Sequence, residues 1–371
     1  MARIGFLSHS DMSVYYFRAP IMRALKERGH EVFAIIPDGA YAPNIKSEFK
    51  TIIYELDKAS LNPLKVSRDT QNLALALEEL SLDMLQTGAH KSNVFGTFAA
   101  KKVGIKTVIN LVEGMGSFYI HNDLKSMLVR KAIEMLYKKA FKMSDACVFV
   151  NDSDPDYMLS KSLIEEKKVR RIKSVGVNAN LFDPKKVEAY KFGDKKVVLM
   201  MGRALWDKGV REFYEAANIL KDRLDCEFVF VGDTYEGNPS SATSEFLRNQ
   251  NVKWIKWSDN VKELLKGAYI YALPSYKEGF PRTVLEAMSM AKACVVSGAS
   301  GCVEAVEDGV NGLVCKVKDS ADLAKKIEIL LDDEKMVLEM GQNGRKLVLE
   351  NYDEPIIVEK YLKVYKEFLD V

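Results

Sequence analysis

Short apolar runs recur along the chain, each ended by a polar or glycine-containing turn and followed by residues whose apolar positions repeat with helical spacing. Ile4-Gly5-Phe6-Leu7 is the first run; the polar loop Ser8-His9-Ser10-Asp11 leads to a helical pattern over 14–28. Gly29-His30-Glu31 then turns into Val32-Phe33-Ala34-Ile35-Ile36, with His30 reading as a turn residue. Continuous apolar strands are buried on both faces, and a strand, helix, strand order demands a parallel pairing. The alternation continues with a helix over 72–80, the strand Met84-Leu85-Gln86, a strand-end loop over 111–119, a helix over 123–143 and a strand over 146–150. It restarts with strands over 197–201, 227–231, 252–257, 268–273 and 294–297, a short helix over 261–266, and closing helices over 322–331 and 353–369.

Between the two series, 184–196 is polar and charged. With 371 residues the chain is long for one core and comfortable for two, so the pattern predicts an α/β protein of two Rossmann-like domains. The boundaries it suggests are 1–183, 184–354 and a final helical segment, 355–371. Net charge is only +2, and no nucleic-acid partner is expected. The charge is uneven, however: residues 1–182 hold about six more Lys and Arg than Asp and Glu, which suits an anionic membrane surface or a phosphate. The five cysteines show no metal-ligand spacing and read as reduced core residues; the N-terminal pattern runs straight into a strand, and no apolar run approaches a membrane span. The expectation is a cytoplasmic protein that is neither exported nor membrane-spanning.

Candidate chemistry concentrates at Leu273-Pro274-Ser275-Tyr276-Lys277-Glu278-Gly279-Phe280-Pro281-Arg282-Thr283-Val284-Leu285-Glu286, a strand, tight loop and helix. Gly279 relieves the loop and Pro281 is suited to a helix start. Backbone N–H groups around Thr283 and Val284 are expected to face a ligand, and such an end favours phosphate. Glu278 and Glu286 are acceptors and suit sugar hydroxyls. Phosphate flanked by hydroxylated rings describes a nucleotide sugar. In the first half, His9 and Asp11 follow a parallel strand, where ligand crevices form, and Gly114 and Gly116 allow close approach after another. No G-x-G-x-x-G follows the first strand, which argues against a dinucleotide-binding dehydrogenase.

Glu278 and Glu286 stand as E-x7-E, and in this the sequence resembles family 4 of the retaining glycosyltransferases. The resemblance implies a GT-B fold: two Rossmann-like domains with a cleft between them and a last helix that crosses back to the first. It implies that Glu278 holds donor-sugar hydroxyls and Glu286 the ribose hydroxyls, with Gly279, Phe280, Pro281, Thr283, Val284 and Gly232 completing the nucleotide-sugar contacts. Gly202-Arg203, with Lys208 five residues after the arginine, is similar to the family's turn whose two cations hold the donor diphosphate. His90 matches the family's histidine that approaches the donor sugar. The helix over 123–143 carries Lys125, Arg130, Lys131, Lys138, Lys139 and Lys142 against two acids, fitting a membrane surface or lipid diphosphate. Asp152-Ser153-Asp154 matches the D-x-D of metal-dependent transferases of another fold, but with Pro155 behind it the acids are expected to cap a helix, and no metal is expected. Ala291 and Ala293 depart from the family's usual Gly and Pro.

Around 89–93, 112–119, 203–214 and 273–281 the resemblance narrows to transferases of bacterial protein N-glycosylation. It then implies UDP-GalNAc as donor, with no other cofactor, an undecaprenyl-diphosphate-linked diacetylbacillosamine as acceptor, an α-1,3 linkage, and a peripheral position on the cytoplasmic face of the inner membrane. Alternatives are a family member using another UDP-sugar or lipid-linked acceptor, a nucleotide-sugar epimerase of the same fold, and a non-catalytic UDP-sugar sensor.

Overall fold

Both series of apolar runs become parallel sheets. The structure, a computed structural model, describes residues 1–54, 62–120, 123–248 and 251–369. The chain divides into two compact units, Met1–Val175 with Pro355–Val371, and Gly176–Glu354.

The first unit holds strands β1 (Arg3–Ser8), β2 (Glu31–Ile36), β3 (Lys50–Ile53), β4 (Met84–Gly88), β5 (Thr107–Val112), β6 (Ala146–Phe149) and β7 (Val169–Arg171). Their order is β3-β2-β1-β4-β5-β6-β7, parallel throughout, with Ile4 beside Val32 on one side and beside Met84 on the other. Every residue of β4 and β5 is buried, as expected for strands covered on both faces. Leu73 and Leu77 pack from a helix onto Leu7, Ile35, Leu85 and Val108. Each such fully buried side chain contributes about 1.5–3 kcal/mol.

The second unit holds β8 (Lys196–Met201), β9 (Cys226–Val231), β10 (Val252–Ile255), β11 (Ile270–Leu273), β12 (Ala293–Ser297) and β13 (Gly312–Cys315), in the parallel order β10-β9-β8-β11-β12-β13. The two sheets share a feature that places function. Each chain segment builds outward from its first strand and then returns to that strand's other side, so the order reverses between β1 and β4 and between β8 and β11. Loops leaving the C-terminal ends of such strands open a crevice, which is where open α/β sheets bind ligands.

Three helices matter below: α1 (Leu124–Met143), α2 (Arg282–Ser289) and α3 (Glu354–Lys366). The chain's last helix, α3, belongs to the first unit, burying Ile357, Val358, Tyr361, Leu362, Val364 and Tyr365. Tyr365 donates a hydrogen bond to Gln86 on β4, and Arg28 pairs with Glu359 at 2.7 Å.

Several local expectations are corrected. The helix expected over 72–80 begins at Pro63, where the Asn62 side chain caps the Leu64 N–H at 3.0 Å. Its first turns are too polar to show helical periodicity. The helix Glu334–Leu347 escaped the reading because its two glycines and its charges obscure the apolar stripe of Val337 and Met340. At Asp152-Ser153-Asp154 an acid, Asp152, stands at the N-cap, but the capping bond comes from the residue before it. Asn151 Oδ1 accepts from the Asp154 N–H at 2.8 Å, whereas Asp152 makes no cap bond and pairs with Lys173 and Arg171. All five cysteines are buried and unbridged. Among the described residues, no helix is long and apolar enough to cross a membrane.

Candidate active site

The loops leaving β8, β11 and β12 are stitched into one surface. After β8 the chain makes a short turn, Trp206–Lys208, closed by Gly209 in a left-handed conformation. A Cβ on Gly209 would stand 2.2 Å from the Pro274 carbonyl oxygen, so glycine alone lets the β8 turn lie against the strand-end loop of β11. The contact is held by the Tyr276 N–H donating to the Asp207 carbonyl at 2.9 Å and by Tyr276 Oη donating to Glu212 at 2.7 Å. The Glu278 N–H donates to the Ser300 carbonyl at 3.0 Å, tying in the loop after β12. Gly301 there, at φ +82°, would place a Cβ 2.5 Å from the Glu278 carbonyl oxygen.

These backbones bring two of the sequence-selected residues together. Lys208 Nζ donates to Glu278 Oε1 at 2.5 Å, and Ser275 Oγ donates to the same oxygen at 2.7 Å. Neither charge is fully in water, the side chains being 23% and 10% exposed. A charge-assisted bond in this setting fixes both groups and leaves capacity over: an ammonium has three donors, and a carboxylate about four acceptor sites.

Glu286 is buried on α2 and accepts from Arg282 Nε, one turn earlier on the helix, at 2.9 Å. Burial raises its carboxyl pKa, and Arg282 pulls the other way. Arg203 is exposed, its guanidinium 5.4 Å above the Tyr235 ring. Gly232 has a packing reason for its identity, because a Cβ there would fall 1.8 Å from the Gly202 carbonyl oxygen.

The α2 N-terminus is corrected in part. Pro281 is its N-cap, in extended conformation, and its carbonyl accepts from the N–H groups of Val284 at 3.1 Å and Leu285 at 3.3 Å. The Val284 N–H is therefore spent inside the helix and does not face a ligand. Phe280 turns its ring into the core, 5.3 Å from Tyr352.

In the first unit, β4 ends at Gly88 and is followed by Ala89 at φ +72° and then His90. His90 Nδ1 bonds to the Tyr137 hydroxyl at 2.6 Å. Its Nε2 lies 3.1 Å from where a Cβ on Gly116 would stand, so Gly116, at φ +73°, leaves room for the ring. Burial, and then the neighbouring His9, push the His90 pKa down to about 4, so the imidazole is neutral at physiological pH. Asp11 has a structural contact. Its Oδ2 accepts from the Tyr41 N–H at 2.8 Å, pinning the loop after β2. Gly114, at φ +141°, lies in the loop after β5.

On α1, Lys125, Lys131, Lys138 and Lys139 are exposed, Lys139 with its ammonium 5.3 Å above the Phe98 ring. Arg130 is committed locally: Nε and Nη2 both donate to the Phe118 carbonyl, at 3.0 and 2.8 Å, with the guanidinium over Tyr119. It holds the turn after Gly116. Sequence reasoning passed over Ser275, Tyr137, Arg18 and Glu113. Ser275 stands inside the selected stretch, but only its bond to Glu278 distinguishes it. Among the described residues, no group of histidine, cysteine and carboxylate side chains is arranged to hold a metal ion.

Comparison with known proteins shows the family and the fold. The family model described as glycosyl transferases group 1 matches residues 182–347. Over 98% of both chains the sequence is 46% identical to the N,N'-diacetylbacillosaminyl-diphospho-undecaprenol alpha-1,3-N-acetylgalactosaminyltransferase of Campylobacter jejuni. It is 22% identical, over 98% of each chain, to the UDP-Gal:alpha-D-GlcNAc-diphosphoundecaprenol alpha-1,3-galactosyltransferase of Escherichia coli. Among solved structures, a Rickettsia africae glycosyltransferase superposes with a TM-score of 0.81 at 20% identity, covering 99% of this chain and 98% of its own. An Anabaena protein in complex with UDP and glucose superposes with a TM-score of 0.78 at 17% identity, covering 99% and 100%. The chain thus has the GT-B fold and belongs to the group 1 glycosyltransferases, the retaining family 4.

Proposed function

We propose that the protein transfers N-acetylgalactosamine from UDP-GalNAc to diacetylbacillosamine carried on undecaprenyl diphosphate, forming an α-1,3 linkage in bacterial protein N-glycosylation. The observation that carries this reading is the end-to-end likeness to the Campylobacter enzyme of that activity. In the reaction the bond between the anomeric carbon and the β-phosphate oxygen breaks, and UDP leaves with the electron pair. The acceptor hydroxyl oxygen bonds to the anomeric carbon on the same face, and its proton passes to the departing β-phosphate.

The residues at the second switch point suit that chemistry. Lys208 spends one N–H on Glu278 and keeps two for phosphate oxygens; with Arg203 it meets charge that grows as the bond breaks. Fixed cations of this kind stabilise the transition state more than the ground state. Glu278 keeps acceptor sites for donor-sugar hydroxyls, Glu286 for the ribose, and the 279–283 backbone borders them. His90, neutral and held by Tyr137, is the histidine that approaches the donor sugar, and His9, Gly114 and Gly116 border the acceptor. Nuclear magnetic resonance of the purified product tests the stereochemistry: an α-linked N-acetylgalactosamine is expected, and a β-linked product contradicts the proposal.

For the lipid, we read α1 as the face that meets an anionic membrane surface on the cytoplasmic side of the inner membrane. Leu124, Leu128 and Met135 are 73%, 62% and 66% exposed among its lysines, a combination that interfacial helices present and solvated ones avoid. Flotation with anionic vesicles is expected to carry the wild type upward and to leave Leu128→Glu/Met135→Glu behind. A wild type that does not float contradicts this placement.

A further inference from the structure

An ion pair between a buried arginine and a part-exposed glutamate at the C-terminal end of β5 is left unexplained by the roles above. Arg18, from the wide helical turn Val14–Arg18, donates through Nη2 to Glu113 Oε1 at 2.6 Å. Its guanidinium lies 5.5 Å above the ring of Tyr361 on α3. Nη1 is buried with no hydrogen-bond partner among the described residues. An arginine so placed costs desolvation that a methionine or leucine would not, and breaking such a pair costs more than replacing it whole. Stability of the fold therefore does not account for the choice of residues.

The two ends of the pair differ in exposure. The Arg18 side chain is 5% exposed and that of Glu113 24%, so the arginine is sealed in and the carboxylate reaches the crevice. Glu113 Oε2 receives no hydrogen bond from any described residue and lies 3.8 Å from where a Cβ on Gly88 would stand. Gly88 ends β4 and Gly114 follows Glu113, so neither residue beside the carboxylate has a side chain to cover it. Oε2 is thus an oriented acceptor at the switch point of the first sheet. A carboxylate repels a phosphate and accepts from a hydroxyl or an amide N–H.

We propose that Glu113 recognises the acceptor sugar: Oε2 accepts a hydrogen bond from a hydroxyl or acylamino N–H of the lipid-linked sugar, and Arg18 is the positioning residue that fixes the carboxylate. The proposal rests on the reading that the first unit binds the acceptor.

The test uses the full chain with UDP-GalNAc and diacetylbacillosamine-diphospho-undecaprenol, comparing wild type, Glu113→Gln and the double variant Arg18→Met/Glu113→Gln. Glu113→Gln is expected to raise the KM for the lipid-linked acceptor about tenfold or more, as for loss of a hydrogen bond to a charged group, with the KM for UDP-GalNAc unchanged. Because Glu113→Gln strands the Arg18 charge, its melting temperature is expected to fall. The double variant removes both charges and is expected to recover the melting temperature but not the acceptor KM. Recovery of the acceptor KM in the double variant, or an unchanged KM in Glu113→Gln, overturns the assignment and leaves Glu113 as the counter-ion of Arg18. Failure of the functional reading looks different: the wild type itself then binds UDP but adds no sugar to this acceptor, and the Glu113 assignment falls with it.

Discussion

Lys208 and Glu278, 70 positions apart, are joined by a 2.5 Å hydrogen bond from Nζ to Oε1. One residue was selected as a diphosphate cation and the other as a sugar-hydroxyl acceptor, and the fold makes each the other's support. Removing either is expected to disorient both. Lys208→Ala and Glu278→Gln should each lower kcat by about 10²- to 10³-fold, as for loss of one preorganised transition-state contact. The double variant should lose much less than the product of the two, because groups acting as a unit are not additive. Steady-state kinetics on the four proteins check this; simple multiplication of the losses would separate the two roles.

Glu286 is expected to act on donor binding. Its carboxylate is buried beside Arg282, so Glu286→Ala removes an acceptor and leaves a cation without its partner. The KM for UDP-GalNAc should rise about tenfold, as for loss of a hydrogen bond to a charged group, with a smaller fall in kcat. Calorimetric titration with UDP reads the same change without turnover. Unaltered UDP affinity would remove Glu286 from the nucleotide site.

Gly209 tests whether the stitched loops matter. An alanine there meets both a left-handed backbone and the Pro274 carbonyl. Gly209→Ala is expected to cost about 1–3 kcal/mol in chemical denaturation. It should also lower kcat while Lys208 and Glu278 remain in the sequence. A variant with native stability and native kcat would show that the β8 turn adjusts freely.

His90 sets a pH dependence of stability. Its folded pKa is lowered to about 4 by burial, against an ordinary value of 6.5. Between those values the unfolded chain takes up a proton that the folded one refuses. Stability is therefore complete above about pH 6.5 and declines as pH falls toward 4, with a slope of about 1.4 kcal/mol per pH unit. His90→Gln should remove this part of the slope. Urea denaturation at pH 7 and pH 5 measures it, and equal slopes in the two proteins would place a normal histidine at position 90.

Much of this was legible because parallel strands buried on both faces are written as continuous apolar runs, and the loops after them carry the chemistry. Glu278 and Glu286 stood out as carboxylates in the loop after a strand and on the helix just beyond, and Lys208 through its place in the Gly202-Arg203 turn that resembles the family's. What could not be read depends on long-range packing. Arg18 and Glu113 are 95 positions apart, and nothing in either stretch marks the two as partners. Arg130 reads as one cation of a basic helix and only the fold shows that it donates to the Phe118 carbonyl. The Val284 N–H was expected to face a ligand because Pro281 was read as the first helical residue rather than the cap. Asn151, which accepts from the Asp154 N–H, was overlooked because the acids beside it are the commoner capping signal.

The most direct test of the function is mass spectrometry of the lipid-linked product. The full chain is incubated with diacetylbacillosamine-diphospho-undecaprenol and, separately, UDP-GalNAc, UDP-GlcNAc and UDP-galactose, with EDTA present throughout. A gain of one N-acetylhexosamine is expected with UDP-GalNAc alone, undiminished by the chelator. A gain with UDP-galactose or UDP-GlcNAc instead, or no gain with any donor, would contradict the proposed function.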